Sequence, residues 1–124
     1  MIPTKKISHT LLEFAEPCIR ELPDGYSKND LEAVLTLVVS VWNSCVLDQW
    51  NKSDVNVTLL RKTVSAGGSL HIAVTEAMIE RKMRLFANDV RAISNQMVIE
   101  RNGELIVRAE ARIDLSKIDA EGLH

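Results

Sequence analysis

Aromatic side chains are scarce: two tryptophans, two phenylalanines and one tyrosine make up 4% of the 124 residues. Proteins that grip single-stranded nucleic acid stack bases on aromatic platforms, and Phe14, Tyr26, Trp42, Trp50 and Phe86 are too widely spread for that. Cysteine is equally sparse. Cys18 and Cys45 both fall in apolar helical patterns, so they read as buried thiols, not as a disulfide framework or a nucleophile. Neither charge dominates: 15 basic and 17 acidic residues leave a net charge of −2, which by itself draws neither nucleic acid nor a membrane. MIPTKKISHTLLEFA lacks the apolar run of a secretory signal, so the expected location is the cytoplasm, where the sequon Asn56-Val57-Thr58 has no meaning.

Motifs that carry chemistry are also wanting. His71 precedes Glu76 and Glu80 at i+5 and i+9, spacings that do not converge as the HExxH pattern does, and His9 and His124 lie far away. Gly67-Gly68-Ser69 opens a helical pattern and could offer amides to a phosphate, but no strand or phosphate fingerprint surrounds it, so helix interruption is the stronger reading. Glu80-Arg81-Lys82 contains a Glu-x-Lys element on a helix, without the upstream acid that a metal-dependent nuclease needs. Solvated helix surface is the stronger reading there too. No cofactor, metal or catalytic residue is expected.

What is present is an ordinary folded composition, 46% hydrophobic and 26% charged, sized for one domain over 1–124. Residues 27–50 hold the apolar centre. Leu31, Val34, Leu35, Leu37, Val38, Val39, Val41, Trp42, Cys45, Val46 and Leu47 leave only a narrow polar line of Thr36, Ser40, Asn43 and Ser44, so a helix here must be covered on most sides. The polar interruptions argue against a membrane span. Ser27 and Asp30 have the spacing of a helix start. Asn43 in this setting needs a partner, expected on a neighbouring helix or at an interface. Trp50, at the polar end beside Gln49 and Asn51, is a candidate anchor for a protein partner.

Around that helix the pattern predicts others. One starts at Ser8 or Thr10, with Thr10 and Glu13 spaced as a capping box, and Pro17 should kink or split it. Leu22-Pro23-Asp24-Gly25 predicts a turn. A short helix follows, capped by Ser53 or Asp54 and burying Val55, Leu59, Leu60 and Val64, and ends at Gly67-Gly68. The next, capped by Ser69, presents Leu70, Ala73, Val74, Ala77, Met78 and Leu85 as its apolar stripe, widened by Ile72, Ile79, Met83 and Phe86. From Ala92 the period becomes two, and Asn102-Gly103 predicts a type I′ hairpin of strands 93–101 and 104–113. The leader Met1–Lys6 is expected to be ordered only when tied down, and the tail Leu115–His124 to fray.

That register pairs Ile99 with Ile106, Val98 with Val107 and Met97 with Arg108. Val98, Leu105, Val107, Ala109 and Ala111 then share the core face, while Met97, Ile99 and Ile106 share the other with Arg108, Glu110 and Arg112. A two-stranded ribbon with apolar residues on its outward face needs cover, which either a second copy or the leader or tail of the same chain can supply. The fold expected is therefore α+β and mostly α, with about four helices and a carboxy-terminal hairpin. The function expected is that of a small, bacterial-type, non-enzymatic interaction or regulatory protein acting as a homodimer through Met97, Ile99 and Ile106. A nucleic-acid-binding regulator is the first alternative. Met1–Leu60 holds 5 basic and 8 acidic residues and Arg61–His124 holds 10 and 9, so Arg81, Lys82, Arg84, Arg91, Arg108 and Arg112 could form a basic face. Interspersed acids favour cross-strand ion pairs instead. A small enzyme whose pocket sequence cannot show is the second alternative.

Overall fold

The computed structural model describes residues 6–112, and the expectations for the leader and for the tail from Ile113 onward lie outside them. Four helices precede a hairpin: α1 (Ile7–Arg20), α2 (Lys28–Asn51), α3 (Val55–Ser65), α4 (Ser69–Leu85), β1 (Ala92–Arg101) and β2 (Glu104–Arg112). The fold is α+β, mostly α, with α2 at its centre.

α2 is the most strongly capped helix. Ser27 Oγ accepts from the Asp30 amide at 3.1 Å and Asp30 Oδ2 accepts from the Ser27 amide at 3.0 Å, a reciprocal pair that satisfies two orphan donors. By length and composition alone α2 would pass for a membrane span, with a mean hydropathy of 1.5. In the fold α1, α3, α4 and β1 all pack on it. Phe14, Trp42 and Phe86 meet edge to face with centroids 5.2, 5.5 and 5.8 Å apart, so the few aromatics concentrate where α1, α2 and the end of α4 converge.

Tertiary partners override several local expectations. α1 runs unbroken through Pro17, and it starts at Ile7 after Lys6 without a side-chain cap. Thr10 forms no capping box; it is buried, with its hydroxyl 3.3 Å from the Arg91 guanidinium. Asp54, one of the two expected cap residues, holds the N-cap of α3 but makes no side-chain cap hydrogen bond. Asp48, on the last turn of α2, reaches across instead. Its Oδ1 accepts from the Asn56 amide at 2.9 Å and its Oδ2 from the Val57 amide at 2.9 Å. Val55 and Leu59 consequently face solvent, and α3 rests on α2 through Val57 and Leu60.

α4 is rotated from the stripe that its apolar residues trace. Gly68, at φ 96°, occupies the cap position instead of Ser69. Thr75, Met78, Ile79 and Lys82 form the buried face, while Ile72, Ala73, Met83 and Leu85 are exposed. The side chain of Leu70 lies outside the described residues. Lys82 takes an inward place ahead of Met83 and Leu85 because it finds internal acceptors there.

The hairpin has the predicted register: Ile99 opposite Ile106, Val98 opposite Val107, Met97 opposite Arg108. Asn102 at φ 55° and Gly103 at φ 79° supply the two positive dihedrals of a type I′ turn. A bulge at Ser94 ends the alternation, and beyond it Ala111 is exposed, not on the core face as its parity implies. Val98 is buried, with Leu105, Val107 and Ala109 packed beside it against the helices.

Candidate interaction surface

The face of the ribbon opposite the one that packs on the core carries four rows of opposed residues. From the turn downward these are Arg101 and Glu104, Ile99 and Ile106, Met97 and Arg108, and Asn95 and Glu110. A cavity of about 470 Å³ that Ser8 of α1 also lines is bordered by Asn95, Met97, Arg108 and Glu110. Met97 is 46% exposed, and Ile99 and Ile106 are half-buried without joining the core cluster. The sheet has two strands among the described residues. An apolar centre is thus flanked by a charged row at each end, the arrangement of an interface core with a polar rim.

The expected basic face does not assemble as a unit. Lys82 is the plainest correction: it is fully buried, out of reach of a phosphate. Its ammonium donates to Phe86 O at 2.7 Å and Asp89 O at 3.0 Å and lies 4.6 Å from the Trp42 ring centroid. Burial lowers its pKa, against smaller opposing effects of Cys45 and Asp89. Arg81 turns inward onto α1, and Arg91 is held by Asp89 at 2.6 Å, a contact that raises its pKa. Arg84, Arg108 and Arg112 are exposed, with Arg84 3.8 Å from Glu80.

Asn43 and Trp50 belong to a clamp within the chain that sequence reasoning missed. Asn43 holds the backbone of Ile93 in both directions, donating to its carbonyl at 2.9 Å and accepting from its amide at 2.7 Å. Its partner is a strand, not a helix or an interface. Trp42, Gln49 and Trp50 donate to the carbonyls of Arg91, Ala87 and Val90 at 2.6, 2.9 and 2.8 Å. Trp50 is therefore turned onto its own chain, not free as a partner anchor. The legible signal was positional: 42, 43, 49 and 50 share one face of a helix. Together with Lys82 they satisfy the irregular α4–β1 connection, whose polar backbone would otherwise be a liability beside the core.

His71 is exposed, with Nδ1 2.7 Å from Gly67 O, and among the described residues no group of three His, Cys, Asp or Glu could hold a metal ion. Cys18 and Cys45 are free thiols whose pKa values burial pushes up, which keeps them protonated. An apolar groove of about 370 Å³ lies between α1, α2 and α4, lined by Cys18, Leu22, Val34, Leu37, Val74 and Met78 among others. No family model, curated protein or solved structure matches the chain.

Proposed function

We propose that this is a non-enzymatic interaction protein, of small bacterial and regulatory type, that acts as a homodimer. The observation that carries the reading is the outward ribbon face, where Met97, Ile99 and Ile106 stand apart from the core cluster while the inward face packs on the helices. Apolar residues on the open side of a two-stranded ribbon favour a partner that covers them. The two free thiols suit a cytoplasmic setting. Nucleic-acid binding is the weaker reading, because Arg81, Lys82 and Arg91 are spent on internal acceptors. Sedimentation velocity of the full chain tests the proposal: a dimeric fraction that grows from about 5 to 200 µM is expected of so small a face. A single monomeric species throughout overturns it.

A further inference from the structure

Resting on that homodimer reading, we infer that two copies stack outer ribbon face to outer ribbon face, strands antiparallel, about a two-fold axis through the Ile99–Ile106 row. The charge order on the face fits this geometry; a parallel stack would instead set Glu104 over the partner's Arg101, and charge-reversed variants separate the two. On β2 the outward residues run Glu104, Ile106, Arg108, Glu110, and on β1 they run Asn95, Met97, Ile99, Arg101. Reversing the strand direction about the isoleucine row lays isoleucine on isoleucine at the centre. It also lays the Glu104 row over the Arg108 row, so that each Glu104 faces Arg108 of the partner subunit, twice by symmetry. Met97 then lies against the aliphatic stem of the partner's Arg101.

Shifting the axis by half a row toward the base sets Glu104 over Glu110 and Ile106 over Arg108, which places like charges together and opposes an apolar group to a cation. The isoleucine-centred register avoids the like-charge contact, and its apolar–cation contact, Met97 with the partner's Arg101, is made along the arginine stem. Packed sheets sit about 10 Å apart, a gap that a glutamate and an arginine can span together. A self-complementary patch is what a two-fold interface requires. Its central isoleucines supply the apolar burial, and the two ion pairs set register more than affinity.

Charge reversal tests the register. Both positions are exposed, so Glu104→Arg and Arg108→Glu should each keep the circular dichroism spectrum of the parent. Each variant alone brings like charges together twice and should weaken self-association about tenfold or more. Mixed in equal amounts, the two variants restore opposite charges at both contacts: one pair has the parental polarity and the other has it reversed. A mixed dimer at parental affinity is expected. A parallel stack predicts otherwise: it opposes Arg108 to Met97, so Arg108→Glu would self-associate normally. Normal association of that variant, or failure of the mixture to recover when the parent dimerises, overturns the register and leaves the homodimer reading standing. A parent that is monomeric at about 200 µM overturns both.

Discussion

Arg81 on α4 supplies the donor that Pro17 withholds from α1. Proline at position 17 has no N–H, so Glu13 O loses its helical partner, and Arg81 Nη2 lies 2.7 Å from that oxygen while Nε lies 3.0 Å from Phe14 O. The guanidinium also sits 5.6 Å from the Phe86 ring centroid. The helix thus tolerates its proline without splitting because a neighbouring helix repairs the ladder. Arg81→Ala should destabilise the protein by about 1–3 kcal/mol by urea unfolding. The same substitution should cost at least about 1 kcal/mol less in a Pro17→Ala background, where the backbone amide returns. Additive effects of the two substitutions would show that the repair does not operate.

Asp48 does for α3 what that helix cannot do for itself. Burial would raise its carboxyl pKa, but amide donors from Val57 and Asn56, the Asn56 side chain and the Ser53 hydroxyl outweigh burial and lower it below 3.8. A depressed folded-state pKa means stabilisation fully present above pH 3.8 and lost as pH falls through the folded value. Asp48→Ala should cost about 2 kcal/mol, and it should flatten the acid limb of stability against pH relative to the parent. Hydrogen exchange should show α3 opening first, since no α3 residue is fully buried.

How much could be read in advance follows from how local each determinant is. Ser27 with Asp30, and Asn102 with Gly103, act within four residues, and the helix start and the hairpin register are both as their spacing implies. The face of α4 is not local. Met83 and Leu85 look like core in a periodic pattern, yet Lys82 takes the inward position because Phe86 O, Asp89 O and the Trp42 ring await it. The same holds for Thr10, Asp48 and Asn43, polar residues whose partners lie 8 to 81 positions away. The outward face of the ribbon was legible because parity alone assigns it.

Lys82 gives the protein an alkaline signature. Desolvation lowers its pKa from 10.5, so between the folded value and 10.5 the unfolded chain binds more protons than the folded one. Stability contributed by this group therefore rises with pH across that window. Lys82→Met removes the titration, and the stability of the parent minus that of the variant should increase between about pH 7 and 10 in paired urea titrations. A difference that falls over that range would mean that the carbonyl cage and Trp42 hold the ammonium form more strongly than burial opposes it.

Thr75 is the remaining polar residue on the inward face of α4, 1% exposed, and among the described residues its hydroxyl has no hydrogen-bond partner. An unmet buried hydroxyl costs about 1–3 kcal/mol, and valine keeps the branched shape without the polar atom. Thr75→Val should raise stability by about 1 kcal/mol and the Tm by a few degrees. The hydroxyl borders a cleft of about 90 Å³ shared with Arg61, Ser65 and Glu76, large enough for ordered water. If the substitution lowers the Tm instead, a bound water in that cleft is the hydroxyl's partner, and α3 and α4 are joined there by more than the Arg61–Glu76 ion pair.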